Sequence, residues 1–523
     1  METERLISFF KPDLATMGYG LFLAVNAAGV WGGVFPFLPL EFQTPEIVFW
    51  FFLAQASVYS VSYFASAVGS YWLPGPTRRF MVILAAVPYF AGWACLACAM
   101  YMDSFALQLF VAGGALLGLG SAGFFMLWQR LFAGSSPDAG NRELMLGTAY
   151  ASVIYFALHL IPSAVTVYLI PTVFLPAFGL AIIVLSPDID ATQSMFEDIP
   201  YEHPKVYRAV IHDYWRPALC VGAIGVCAGI MRSLAIGDPA TGTLVNMLSM
   251  AASLLASVGL LVAWQRKNLR LNTIDMYHIA FPLVVTAILL LPLLPSSYER
   301  WLAAILYAVY SVATMLMMVQ CAQASRDRGI NPVFIYGFFG GIVYTLHDAG
   351  FLMGAWVESL DVMGIDTMAM VALATGYVLA VMYFIGNGGF RRNLGTDRVA
   401  TIELVALRPT VEEMRAVAAG TLEASNGGAE EGASGSGDAS GGDGGDVKVV
   451  DPTSRRVDLM RERYRLSARE AEVVELVARG NTVVRIAEIL VVSESTIRTH
   501  TRRIYAKLDV HKKQELLDLL EQM

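Results

Sequence analysis

The sequence predicts an all-α chain in three parts: a polytopic bundle of twelve membrane helices, a disordered linker and a four-helix globular unit. Three observations carry this. First, 56% of the residues are hydrophobic and 15% charged, whereas soluble domains run near 25% charged, so most of the chain must place apolar surface in lipid. Second, apolar stretches long enough to cross about 30 Å of hydrocarbon recur twelve times, with cations confined to alternate loops. Third, residues 453–523 switch to capped, amphipathic helical patterning. Such a composition excludes a plain soluble enzyme, a disordered regulator and a disulfide scaffold.

The expected spans are approximately 16–38, 46–71, 80–101, 105–128, 144–162, 166–186, 217–236, 242–264, 277–295, 301–323, 332–357 and 366–386. The fifth and sixth are the least sharply bounded, because Pro162, Pro171 and Pro176 interrupt one long apolar block. The start, Met1 to Arg5, is acidic and shows no small-residue cleavage site, so the first apolar run reads as a retained span. One set of loops carries sixteen Lys and Arg, from Arg5 and Lys11 through Arg78, Arg130, Arg142, Lys205, Arg266 and Arg326 to Arg391 and Arg392. The opposite set has only Arg300, plus Arg232 near a helix end. The positive-inside bias then places both termini in the cytoplasm of a cell that carries the chain in its inner membrane.

The loop from Ser186 to Pro217 divides the spans six and six. Over residues 1–390 this arrangement resembles the major facilitator superfamily, and the resemblance implies paired halves with a cavity between them. The loop Gly69-Ser70-Tyr71-Trp72-Leu73-Pro74-Gly75-Pro76-Thr77-Arg78-Arg79 keeps that family's paired cations but lacks the acid before them, a departure that bears on transport activity more than on fold.

Residues 391–422 form a short connector, where Thr410-Val411-Glu412-Glu413 fits a capping box and Gly420 a stop. The linker, 423–452, follows. Between Glu423 and Asp446 it has nine glycines, six acids, no cation and no aromatic residue, so it cannot bury a core. It is a flexible tether, spanning about 25–30 Å.

Residues 453–523 hold 14 Lys and Arg against 11 Asp and Glu, a net +3. Ser467 and Glu470 are spaced as a capping box, and Ala471, Val474, Val477 and Ala478 follow at helical spacing. Arg479-Gly480-Asn481 stops that helix. Thr482 starts a second, with Ile486, Ala487, Ile489 and Leu490 inward. Val491-Val492-Ser493 makes a tight turn into a third, with Ile497, Ile504 and Leu508 inward, and a fourth runs from Lys512 to Leu520. Two short helices across a tight turn, the second rich in cations, are a helix-turn-helix. Arg498 and Arg502 lie four apart, on one face that fits a major groove, where an arginine fork grips guanine O6 and N7.

The blocks Leu466-Ser467-x-Arg469-Glu470-x-Glu472-Val473, Ile486-Ala487-x-x-Leu490, Ser493-x-x-Thr496-Ile497-x-x-His500 and Ile504-Tyr505-x-Lys507-Leu508 resemble the LuxR-type DNA-binding domain. The resemblance implies that Arg498, Thr499 and Arg502 face bases, and that Thr482, Ser493, Thr496, Arg503 and Lys507 hold the phosphate backbone. It also implies that two copies pair through Leu516, Leu517 and Leu520 of the fourth helix. The whole chain resembles membrane-embedded LuxR-type regulators.

Ionisable residues within spans are costly and mark functional candidates. Here they are His159, Arg232, His347 and Asp348. Arg232 either snorkels outward or faces a cavity. His347 and Asp348 either line a cavity or lock to each other. His159 reads as a packing residue or a cavity residue. Cys95 and Cys98 read as small helix residues in lipid. No nucleotide loop, metal spacing or nucleophile constellation is present, so neither an enzyme nor a cofactor is expected. The expected function is a one-component transcription regulator that senses a small molecule and binds promoter DNA as a homodimer, beside RNA polymerase. The alternative is a secondary transporter with a fused regulatory module.

Overall fold

The structure is a computed structural model. It describes residues 9–29, 42, 44–186, 193–197, 199–202, 204–236, 239–266, 269–272, 284, 286, 296–360, 376–377, 379–381, 384, 401–404, 452–464, 466, 468–490 and 494–522. The bundle helices are α1 (Leu14–Gly29), α2 (Pro45–Trp72), α3 (Pro74–Ala99), α4 (Ala106–Gly134), α5 (Pro137–Leu158), α6 (Ser163–Leu169), α7 (Leu175–Leu185), α8 (Pro204–Ile236), α9 (Pro239–Arg266), α10 (Ser296–Arg328) and α11 (Pro332–Leu360). Among the described residues six helices are long and apolar enough to cross a membrane: those within α2, α3, α4, α8, α9 and α10. The first span appears as the shorter α1. The expected spans 277–295 and 366–386 lie almost wholly outside the described residues, as do the helix expected at 410–420 and the linker. The prolines of the sixth span act as expected: a π-turn, Ile170–Phe174, separates α6 from α7.

The all-α expectation needs one amendment. Leu269–Asn272 (β1) and Thr401–Leu404 (β2) form an antiparallel ribbon, Leu269 opposite Leu404 and Asn272 opposite Thr401. It joins the segment after α9 to the segment beyond the last span.

Helix packing follows small residues. In α4, Gly114 and Gly118 lie against the Phe51 and Gln55 carbonyls of α2, so this Gly-x-x-x-Gly serves packing within the bundle. Gly222, Gly225 and Gly229 of α8 face Leu346, Val343 and His347 of α11, while Gly350 of α11 sits on the Val226 backbone. A Cβ at Gly350 has no room, because the Val226 carbonyl is rigid. Gly350→Ala should therefore destabilise the detergent-solubilised chain by about 1–3 kcal/mol. Gly179→Ala, whose Cβ meets nothing within 4 Å, should leave the melting temperature unchanged or higher. Equal melting of the two variants would refute this account of the α8–α11 contact.

The two halves meet most extensively in two pairs, α2 with α11 and α5 with α9, and α10 and α11 also pack on α4. The cation-rich helix ends gather at one end of the bundle. Arg142 donates to the Phe9 and Lys11 carbonyls at 2.8 Å each and pairs with Asp13 at 3.0 Å, fixing the segment before α1. Asp13 caps α1 reciprocally with Thr16, each backbone N–H reaching the other's side chain at 2.8 Å. The C-terminal unit sits at this same end, in contact with α8 and α10.

Candidate functional site

Among the described residues the C-terminal unit has five helices, one more than the four expected because α12 precedes them: α12 (Pro452–Tyr464), α13 (Ala468–Ala478), α14 (Val483–Leu490), α15 (Glu494–Leu508) and α16 (Lys513–Glu521). Its own core gathers Val457, Met460, Val473, Val474, Val477, Ile486, Ile497, Ile504, Leu508, Leu516 and Leu520. The turn from α13 to α14 works as the sequence implies: Gly480 takes φ +85°, a conformation glycine adopts without strain. Thr482 then accepts the Arg485 N–H at 3.3 Å, capping α14.

The predicted recognition helix is α15. Arg498 and Arg502 are exposed, one turn apart. Ser493 and the side chains of Thr496 and Thr499 lie outside the described residues. Thr482 is exposed. Two residues expected on phosphates are engaged otherwise. Arg503 is 3% exposed. Its Nε stands 3.0 Å from Glu470 Oε1, and Lys507 Nζ is 2.8 Å from Glu470 Oε2. Arg503 Nη1 also donates to the Arg328 carbonyl of α10 at 2.5 Å. In this arrangement Arg503 is not on an open face, because burial without these partners would leave its charge uncompensated.

Three further placements differ from expectation. Leu516 and Leu520, expected on a pairing face, are buried in the unit's own core, with α16 packed on α12; Leu517 alone of the three is half-buried. Ile489, expected inward, is 44% exposed. Glu470, expected as a capping acid, is fully buried. The signal for Glu470 was present: it shares the spacing of Val473, Val474 and Val477, which places it on the apolar face of α13.

In the bundle, Arg232, His347 and Asp348 are brought together; His159 is not. Arg232 does not snorkel. Its guanidinium donates to the Tyr307 hydroxyl at 2.8 Å and lies 4.3 Å from the Phe52 ring centroid, a cation–π contact. His347 stacks on Tyr310 with centroids 5.2 Å apart, and its Nδ1 is 3.4 Å from Asp348 Oδ1. The Ser60 hydroxyl of α2 bonds the other Asp348 oxygen. Arg232, His347, Asp348 and Tyr310 line a small pocket with Phe52, Gln55 and Phe351. His347 and Asp348 contact each other and both line this pocket. His159 lies just past α5, with its ring on the Tyr155 carbonyl at 3.0 Å and against the Tyr155 ring.

A larger cavity, about 80 Å³, adjoins this pocket through Tyr344, which lines both. It is several times the space one water needs. It lies between the halves, lined by Tyr19 and Asn26 of α1, Thr148 of α5, Asn246 and Ser249 of α9, Met318 of α10 and Tyr336 of α11. Sequence reasoning missed a tyrosine cluster beside the cavity: Tyr336 and Tyr344 line it, and Tyr59 and Tyr63 pack on them, with hydroxyls 3.0 Å apart between Tyr59 and Tyr63 and 3.3 Å between Tyr63 and Tyr336.

Comparison with known proteins is most specific at the C-terminus. Residues 464–520 match the GerE family, described as bacterial regulatory proteins, luxR family. An uncharacterized response regulatory protein of Escherichia coli (strain K12), YgeK, is 44% identical over 52 residues, 10% of this chain and 35% of that protein. The match thus spans about a third of that relative's length. Among solved structures, an alanine variant of the E. coli fucose:proton symporter FucP aligns with a TM-score of 0.41 at 14% identity, covering 72% of this chain and 98% of that one. Six helices long and apolar enough to cross a membrane thus share one chain with residues 464–520, which are similar to the luxR family of bacterial regulatory proteins.

Proposed function

We propose that this protein is a one-component transcription regulator of the inner membrane. A small molecule enters the cavity between the halves, and the resulting change in the bundle alters how the C-terminal module engages promoter DNA and RNA polymerase. The observation that supports this most is the exposed Arg498–Arg502 face of a luxR-family module, held in one chain with a tyrosine-lined cavity among membrane helices. A ligand signals only through unequal affinity for two arrangements of the bundle, and a cavity between halves is where such a difference arises. The module contacts bases through Arg498, Thr499 and Arg502, with Thr482, Ser493 and Thr496 on the backbone. Pairing of two copies on DNA uses the face around Leu517.

The chain in lipid nanodiscs should retard a subset of promoter fragments, with affinity falling steeply as salt rises. A small molecule that shifts this retardation should bind without flux in proteoliposomes. Saturable, gradient-driven uptake would instead make the bundle a transporter. Labelling of the carboxyl end from outside intact cells would overturn the regulator reading altogether.

A further inference from the structure

The cytoplasmic end of α10 holds two contacts within three residues. Arg326 Nη1 donates to the Phe132 carbonyl at 2.8 Å, at the end of α4, and its Nη2 to Asn141 Oδ1 at 2.8 Å, in α5. This guanidinium clasps the second half of the bundle to the first. Two residues on, Arg328 pairs with Asp213 of α8 at 2.7 Å, and its carbonyl accepts the Arg503 guanidinium of α15 at 2.5 Å. One rigid helix end thus fastens the halves together and also holds the flank of the recognition helix.

That flank cannot serve the bundle and DNA at once. A major groove about 12 Å wide just admits one α-helix, whose own diameter with side chains is about 10–12 Å, so a DNA strand must run along each side. Arg503 lies on the side where α8 and α10 now pack. We infer that the docked module is the DNA-free state, latched by Arg503 on the Arg328 carbonyl, and that parting the halves at the Arg326 clasp releases it. The inference rests on the proposed DNA binding by the module and adds its regulation. Arg498 and Arg502 stay exposed in the latched state, so the block comes from the bundle beside the helix and not from burial of its reading face.

The test uses the full chain in nanodiscs, with a pool of short random-sequence duplexes at low ionic strength as the probe. Spin labels at Ala506 of α15 and His212 of α8, both exposed, are placed in a background lacking the five native cysteines. The expected result is a short inter-label distance without DNA, replaced by a long, broad one when the duplex binds. Arg326→Ala, which opens the clasp and touches neither the cavity nor the reading face, should raise duplex affinity about tenfold and populate the long distance without DNA. Asp213→Ala, which frees the Arg328 end, should act in the same direction. Binding with the short distance retained, or equal affinity in all three chains, overturns the latch alone. No duplex binding by any of the chains overturns the DNA-binding reading and the latch with it.

Discussion

Replacing Arg498 and Arg502 together by alanine should remove promoter preference while leaving salt-sensitive, sequence-independent binding in place. The two guanidinium groups project from one exposed face of α15, one turn apart, and α15 is the cation-rich second helix of the turn. A well-aligned bidentate contact to guanine discriminates against a wrong base by about 1–3 kcal/mol. Losing two costs about 2–6 kcal/mol, at least about a 30-fold fall in specific affinity. Neither arginine belongs to the module's core, so the folded unit should persist, with unchanged hydrogen-exchange protection over 468–508. Thr482→Ala should behave differently: it weakens binding to all sequences alike, as loss of a backbone contact does. Retardation assays on matched promoter and scrambled fragments separate the two patterns. Unaltered promoter preference in the double variant would remove α15 as the reading element.

What the sequence shows of this molecule divides along physical lines. Spans are legible because a bilayer demands about 20 consecutive apolar residues, a local property. The helix-turn-helix is legible for the same reason: Gly480, Thr482 and the cation spacing of α15 are local signals. The ribbon of Leu269–Asn272 with Thr401–Leu404 is not, since its strands are four residues each and far apart in the chain. Arg232 could be placed near a helix end from the sequence, but its partners Phe52 and Tyr307 come from other spans. Leu516 and Leu520 show a different limit. A helical stripe of leucines reads alike whether it faces a second copy or its own domain, and here it faces α12. Hydrophobic periodicity tells which face is covered, not what covers it.

Glu470 should be the residue whose loss the module tolerates least. It is fully buried and compensates two cations at once, Arg503 at 3.0 Å and Lys507 at 2.8 Å, tying α13 to α15. Removing one partner of a buried ion pair costs about 3–5 kcal/mol, because the charges left behind stay desolvated. A unit of this size draws no more than about 3–5 kcal/mol from its core. Glu470→Ala should therefore unfold the module within the full chain, seen as loss of hydrogen-exchange protection over 468–508 while α2, α4 and α8 keep theirs. The cost lies in the orphaned charges, not in the missing carboxylate as such. A triple replacement, Glu470→Met with Arg503→Met and Lys507→Met, removes all the charges together and should recover protection, since well-packed apolar side chains replace buried ion pairs at little cost. If the triple variant is as unfolded as Glu470→Ala, the charge argument fails and Glu470 holds the module by shape. If Glu470→Ala is fully protected, the three groups are not a structural unit at all, and Arg503 is bound by the Arg328 carbonyl alone.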